Sequence, residues 1–231
     1  VAGILKHPYT PSPYERFMAD QGIPIHDDIF GAMDARNLAR SPWERMGGNG
    51  AFIYMQGTTG RGMYVLEIPA TGASTPERHM YEEMYYVVEG RGSAEVWRDG
   101  SRNKQSFEWQ VGSVFSIPLN TWHRLINATS SPVLLIGVTS APSSFNLFHS
   151  EDFVFNNPYQ ATDRFDEDEA YFKPAQDLEA HEITGRAVLR SNLIPDVVNC
   201  ELPLDNQRSP GYRRIEPHMA GNVALRTFIG Q

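Results

Sequence analysis

The chain has 231 residues, and its hydrophobic fraction of 41% is enough for one sizeable core with peripheral segments. A formal net charge of −8, with no basic stripe, argues against a nucleic-acid-binding surface. Cys200 is the one cysteine, which excludes a disulfide framework and a cysteine metal cluster and fits a reducing, cytoplasmic compartment. No apolar run is long enough to span a membrane, and residues 1–6 are too short for a signal peptide.

The first segments of the chain have a peripheral character. Prolines interrupt them, and Ser12 followed by Pro13 predicts a short helix with serine as its N-cap and proline at its first position. We therefore expect an N-terminal arm over residues 1–40.

From residue 51 onward the pattern becomes that of β-strands. Short runs rich in β-branched and aromatic residues alternate with glycine and proline turns, and their number suits a double-sheet jelly roll with a pocket at its mouth. We predict an all-β fold: a barrel over residues 41–145, a peripheral helical arm and an irregular C-terminal segment. The predicted strands are 51–55, 63–68, 84–89, 93–97, 105–109, 113–117, 124–127 and 133–139.

Residues 146–231 are predicted to form an aromatic and acidic extension. The aromatic residues between 145 and 159 are expected to pack on the outside of the barrel or across a subunit contact. The acidic stretch 163–169 is expected to be a solvated linker.

The end of the chain loosely echoes an earlier segment. Residues 209–226 are similar in pattern to residues 41–52, as an internal repeat would be. The extension is therefore predicted to be either the start of a second barrel or a strand that packs on the first.

Two stretches place histidines and carboxylates at spacings that suit one metal ion. Side chains alternate faces along a strand, so Glu77 and His79 point the same way, and Glu83 and His123 lie on faces that can form a barrel interior. Such groups are costly to bury unless they are paired or bind a cation. Since two glutamates neutralise a divalent ion, one divalent metal is the simplest explanation. The other histidines are expected to be ordinary core or surface residues: His7, His26, His149, His181 and His218.

These stretches resemble the two sequence motifs of the cupin superfamily. Residues 78–94 resemble the first motif, and residues 112–127 resemble the second. His79 matches the second histidine of the first motif, Glu83 matches its glutamate, and His123 matches the histidine of the second motif. The resemblance covers about a third of the chain. It implies a cupin double-stranded β-helix that binds a metal, either alone or as part of a two-barrel bicupin.

Two positions depart from the cupin motifs. Glu77 stands where the first motif has its first histidine, and Asn120 replaces a glycine of the second motif, which is feasible because asparagine tolerates a positive φ. Besides serving as a fourth ligand, Glu77 has two alternative roles. It could pair with an arginine and leave water in its place at the metal, or it could leave the metal and act as a general base.

The donor set narrows the choice of metal. Imidazole and carboxylate ligands without a thiolate suit iron, manganese, zinc, nickel or copper. A second carboxylate makes the site harder and more anionic, which favours Fe(II), then Mn(II), and stabilises the higher oxidation state. Zn(II) and Ni(II) remain compatible with the affinity order.

The expected function follows from the metal and the pocket. The leading prediction is a non-haem Fe(II) dioxygenase acting on a small phenolic, enol or keto substrate, with Glu77 and Tyr85 as catalytic candidates. The alternatives are a Mn- or Zn-dependent Lewis-acid cupin, such as a decarboxylase, isomerase or lyase, and a non-enzymatic small-ligand-binding cupin. The resemblance also implies a homo-oligomer paired through edge strands and the N-terminal arm. Further aromatic residues near the pocket by strand position are Tyr64, Trp97, Phe107 and Trp109.

Overall fold

The computed structural model describes residues 11–27, 31–55 and 60–231. Within the predicted N-terminal arm, residues 1–10, which include His7, and residues 28–30 lie outside the described residues. Within those ranges, no helix combines the length and the apolar character needed to cross a lipid bilayer.

Short helices flank a body of β-strands. The helical elements are α1 (Pro13–Asp20), a 3₁₀ turn (Ala35–Asn37), α2 (Ala141–Phe148) and α3 (Glu151–Phe155). The strands that precede α2 are β1 (Ile25–His26), β2 (Ser41–Trp43), β3 (Gly48–Ile53), β4 (Gly62–Ile68), β5 (Glu83–Glu89), β6 (Arg91–Trp97), β7 (Gln105–Gln110), β8 (Val114–Ile117), β9 (Trp122–Ile126) and β10 (Val133–Thr139). The strands of the C-terminal extension are β11 (Leu178–Ala180), β12 (Ala187–Arg190), β13 (Leu193–Ile194), β14 (Arg214–His218) and β15 (Ile229–Gly230).

Two mainly antiparallel sheets form the barrel. The larger sheet follows the order β1-β3-β4-β10-β5-β8-β13, with β2 also paired to β3, and the smaller sheet follows the order β7-β6-β9. The chain passes between the sheets at Gly90, whose φ is 83° and whose backbone contacts Val133 so closely that a side chain would clash. All of the predicted barrel strands are confirmed, and so is the all-β jelly-roll class.

Strand β3 begins earlier than the predicted residue 51, at Gly48. A Cβ atom at Gly48 would lie 2.5 Å from the carbonyl oxygen of Glu67, and one at Gly50 would clash with the ring of Trp43. Glycine is thus required here for close packing, although its low strand propensity hides the start of the strand in the sequence.

Helix α1 has the predicted start and covers the mouth of the barrel. The Ser12 Oγ accepts a hydrogen bond from the Glu15 backbone N–H at 3.2 Å, while the Glu15 carboxylate accepts one from the Ser12 N–H at 2.7 Å. Phe17 of this helix stacks on Phe145 of α2 with ring centroids 4.5 Å apart, and it contacts Phe155 of α3 at 5.7 Å. The three helices therefore form one aromatic cover over the barrel.

The C-terminal extension packs against the barrel. Strand β13 pairs with β8, and the remaining strands form a separate sheet in the order β11-β12-β14-β15. Phe172 stacks on Phe107 of β7 at 4.1 Å. The predicted solvation of the stretch 163–169 is confirmed for Asp163, Asp166, Asp168 and Glu169, which are exposed. The stretch is not a linker, however, because Phe165 is fully buried and Arg164 donates to the buried Glu82 at 3.0 Å.

Candidate metal centre

The barrel brings the predicted ligands into one cluster. Glu77 lies opposite His123 in an antiparallel bridge, where each backbone N–H donates to the carbonyl oxygen of the other residue at 3.0 and 2.9 Å. Glu83 is the first residue of β5. His79 is positioned by its carbonyl oxygen, which accepts a hydrogen bond from the N–H of Asn120 at 3.0 Å. Asn120 adopts the expected positive φ, 52°. Backbone pairing on three segments therefore aims these side chains at one point.

The cluster is compact and buried. Each of the four residues, Glu77, His79, Glu83 and His123, offers one ligand atom, and these atoms all lie within 4.8 Å of one another. The Glu83 Oε2 lies 3.0 Å from the His79 Nε2 and 3.6 Å from the His123 Nε2. The His123 Nε2 also lies 3.9 Å from the Glu77 Oε1. The residues are between 0 and 7% exposed. A group of this kind could hold a divalent metal ion.

Both histidines present Nε2 to the centre of the cluster. The His79 Nδ1 lies 2.9 Å from the Tyr81 carbonyl oxygen, and the His123 Nδ1 lies 3.1 Å from the Thr121 carbonyl oxygen. A carbonyl oxygen only accepts, so each Nδ1 carries a hydrogen and donates it. Each Nε2 therefore faces carboxylate oxygens, and it is the nitrogen through which a neutral imidazole would bind a cation between them.

His123 supplies the clearest test of that fit. Its Nε2 is buried and has no hydrogen-bond partner within the described residues. Buried polar atoms without a partner are rare and need an explanation. A metal ion bound by His123, His79 and the two glutamates would satisfy this nitrogen and separate the facing acceptors.

Burial and charge act in opposite directions on the titratable groups of the cluster. Burial alone would raise the pKa of Glu83, but the neighbouring His79 and His123 hold that pKa well below its usual range. Burial lowers the pKa of His123, and the neighbouring Glu83 and Glu77 carboxylates more than offset this, so the pKa of His123 is raised. Glu83 is therefore ionised, as a metal ligand must be.

Two buried tyrosines support Glu83 from behind. The Tyr64 hydroxyl donates to the Glu83 Oε1 at 2.7 Å, and the Tyr64 and Tyr85 hydroxyl oxygens lie 2.8 Å apart. Because Tyr64 has one hydroxyl hydrogen, Tyr85 donates to Tyr64. Burial, together with the charge of Glu83, raises the pKa of both phenols well above the usual range, so both remain protonated donors.

Glu77 is shared between the cluster and an arginine. Its Oε2 accepts a hydrogen bond from the Arg45 Nη2 at 2.8 Å, while its Oε1 is the oxygen that faces His123. The Arg45 guanidinium lies over the ring of Phe155, 3.5 Å from the ring centroid. No local sequence pattern links Arg45 to Glu77, because Arg45 lies in a turn 32 residues earlier in the chain.

The aromatic residues near the predicted pocket fall in three places. Tyr64 contacts the cluster, and Tyr85 lies behind it. Phe107 and Trp109 pack in the barrel core around Phe115. The placement of Trp97 near the pocket is wrong. The partly exposed ring of Trp97 stacks on Trp122. Trp122 precedes His123 in the strand, so the two side chains point to opposite faces, and Trp97 lies on the face away from the cluster.

A small cavity adjoins Glu77 beneath α1. Its volume is about 20 Å³, which is room for about one water molecule. Its lining includes Tyr14 and Phe17 of α1, Trp43, Phe52 and Arg45. In this form of the protein, the aromatic cover leaves no room for an organic ligand beside the cluster.

Comparison with known proteins places the cluster within a known domain. Residues 64–139 match the family described as "Cupin domain". No curated protein sequence matches the chain.

Solved structures give distant similarities. An oxalate decarboxylase of Lactobacillus farciminis in a formate complex is 22% identical, with 46% of this chain and 32% of that chain covered and a TM-score of 0.40. A vicilin of Solanum lycopersicum is 20% identical, covering 40% of this chain and 28% of that one, with a TM-score of 0.37. A Bacillus subtilis oxalate decarboxylase with Mn(II) centres is 16% identical, covering 43% and 27%, with a TM-score of 0.39. The match thus spans about a third or less of the length of these proteins.

Proposed function

We propose that this chain, which contains a cupin domain at residues 64–139, is a metal-dependent oxidoreductase that uses dioxygen. The single metal that we favour is Fe(II), and Mn(II) is the second choice. The observation that carries the proposal is the buried His123 Nε2, which has no hydrogen-bond partner among the described residues and lies 3.9 and 3.6 Å from carboxylate oxygens of Glu77 and Glu83. An apolar residue would serve a merely structural barrel better at this place.

The charge of the donor set favours redox chemistry. Two carboxylates neutralise a divalent ion, and this weakens its power to polarise a carbonyl as a Lewis acid. The same negative charge stabilises a trivalent ion, so it lowers the reduction potential of iron or manganese. A metal held here would supply single-electron exchange with dioxygen. The Lewis-acid alternative, a decarboxylase, isomerase or lyase, needs a less neutralised ion.

The residues around the cluster have defined supporting roles. The Tyr64 hydroxyl occupies the Glu83 Oε1, which leaves Oε2 free to face the histidines. The backbone carbonyls of Tyr81 and Thr121 fix the ring tautomers. Arg45 binds one oxygen of Glu77 and leaves the other oxygen facing His123, where Glu77 could serve either as a ligand or as a base.

The test uses nitric oxide, because it binds Fe(II) where a coordination position is open and needs no knowledge of the substrate. The protein is loaded with Fe(II) without oxygen, treated with nitric oxide and examined by electron paramagnetic resonance. We expect the high-spin iron–nitrosyl signal in the wild type and its loss in His123→Ala. Bound iron that gives no such signal has no open position, and this result would contradict an oxygen-using enzyme in favour of a closed structural site.

A further inference from the structure

Arg45 has unused hydrogen-bonding capacity at the edge of the cluster. Within the described residues, its guanidinium makes one hydrogen bond, to Glu77, although it has five N–H donors. Its side chain is 27% exposed, while the side chains of the four cluster residues are at most 8% exposed. Arg45 is therefore the charged group of this site that a ligand can reach from solvent.

The ring of Phe155 holds this guanidinium in place. The 3.5 Å distance to the ring centroid is a close cation–π contact, and it leaves the edge of the planar fork, with its N–H groups, available. Such a fork recognises planar anions, above all carboxylates, through two parallel hydrogen bonds.

The charge count of the metal-bearing site favours an anionic ligand. A divalent ion and Arg45 supply three positive charges, and Glu77 and Glu83 supply two negative charges, while both histidines are neutral. The nearby Glu82 is already paired with Arg164 and with the backbone N–H groups of the extension, so it does not change this balance. One positive charge remains at the edge of the buried cluster, on the partly exposed Arg45 guanidinium. One monoanionic ligand would neutralise it.

The remaining walls of the site are apolar rings. Trp43 and Phe52 lie edge to face with ring centroids 5.0 Å apart, and Tyr14 and Phe17 of α1 complete the lining. The cavity of about 20 Å³ does not admit an organic molecule, so the rings of α1 must withdraw to make room. The apolar part of a ligand would then take the place of these rings against Trp43 and Phe52.

We infer that the substrate of this site is a small monocarboxylate with an apolar, ring-sized body, whose carboxylate pairs with Arg45. This inference rests on the proposed metal-dependent function, because without the metal the charge count becomes negative and disfavours an anion.

The test is calorimetric titration of the protein with benzoate, 3-phenylpropionate and the neutral analogue benzamide. The protein is loaded with Zn(II), which avoids oxidation, and its metal content is measured first. We expect at least one of the two acids to bind to the loaded wild type, benzamide to bind at least tenfold more weakly than that acid, and metal-free protein to bind neither acid. In Arg45→Gln the affinity for the acid should fall about 10- to 100-fold with the zinc content unchanged, since a hydrogen bond between charged groups is lost.

The matched control is Arg45→Lys, which keeps the positive charge but loses the planar fork of N–H donors. The affinity of Arg45→Lys for the acid should lie between those of the wild type and Arg45→Gln. This inference would be overturned, with the metal site left intact, if metal-loaded protein bound neither acid, if benzamide bound as tightly as the acid that binds, or if Arg45→Gln kept the wild-type affinity. Protein that takes up no zinc at all would instead contradict the proposed function.

Discussion

The Glu77 carboxylate combines two roles that the sequence left as alternatives, because it both pairs with an arginine and faces the metal cluster. One oxygen pairs with Arg45, and the other faces His123. Strand alternation was sufficient to place Glu77 beside His79, because the rule acts on neighbours in the chain. It could not identify Arg45, whose position depends on how the turn after β2 packs on α3.

The tyrosine pair behind Glu83 was also only partly predictable. Strand alternation in β5 correctly placed Tyr85 on the inward face with Glu83. The sequence could not show that the hydroxyl of Tyr64, from β4, would stand between them, since this depends on the pairing of β4 and β5 with β10. The catalytic role expected for Tyr85 stays a prediction.

Replacing each tyrosine by phenylalanine separates their contributions to stability. Tyr64→Phe leaves the Glu83 Oε1 without its donor and the Tyr85 hydroxyl without its acceptor, both buried, and should lower the free energy of unfolding by about 3 kcal/mol. Tyr85→Phe removes one donated bond and should cost about 1 kcal/mol. Urea unfolding measures both values. A loss in Tyr85→Phe equal to or larger than that in Tyr64→Phe would contradict this order of hydrogen bonds.

Helix α1 is the element on which access to the cluster depends. Its start was predictable because serine, proline and glutamate form a local capping pattern. Its docking site was not, because Phe17 meets Phe145 and Phe155 from helices that follow the barrel. Similarly, the acidic stretch 163–169 has a solvated composition, yet the single ring of Phe165 anchors it in the core.

Weakening the cap of α1 should loosen the cover without touching the cluster. Ser12→Ala removes the oxygen that accepts from the Glu15 N–H and should destabilise the helix by about 1 kcal/mol. We expect faster amide exchange in the peptide that covers α1, measured by hydrogen–deuterium exchange, while exchange in β5 stays unchanged.

The control for this change is Ser12→Asp, which retains an oxygen that can cap the helix and should keep exchange near the wild-type rate. Equal exchange of α1 in Ser12→Ala and wild type would show that the cover does not depend on this cap.

At the scale of the whole molecule, the C-terminal extension supports the strand that carries Glu83. The adjacent Glu82 accepts hydrogen bonds from the backbone N–H groups of Val223 and Leu225 at 2.9 and 2.7 Å, in addition to that from Arg164. The extension is therefore fastened at the start of β5, beside the cluster. The echo between residues 209–226 and 41–52 does not reveal this docking, because a repeat pattern carries no information on which barrel a segment contacts.

Metal content is the measurement that tests the central claim most directly. The protein is purified without a metal-affinity column and without chelators, and its metals are counted by elemental mass spectrometry in wild type, His123→Ala, Glu77→Ala and His218→Ala. His218 is a matched control, since it lies in β14, away from the cluster. We expect about one transition metal ion per chain in wild type and in His218→Ala, a partial loss in Glu77→Ala, and almost none in His123→Ala. Near-normal metal content in His123→Ala, or none in the wild type even after incubation with Fe(II), Mn(II) and Zn(II), would contradict the account.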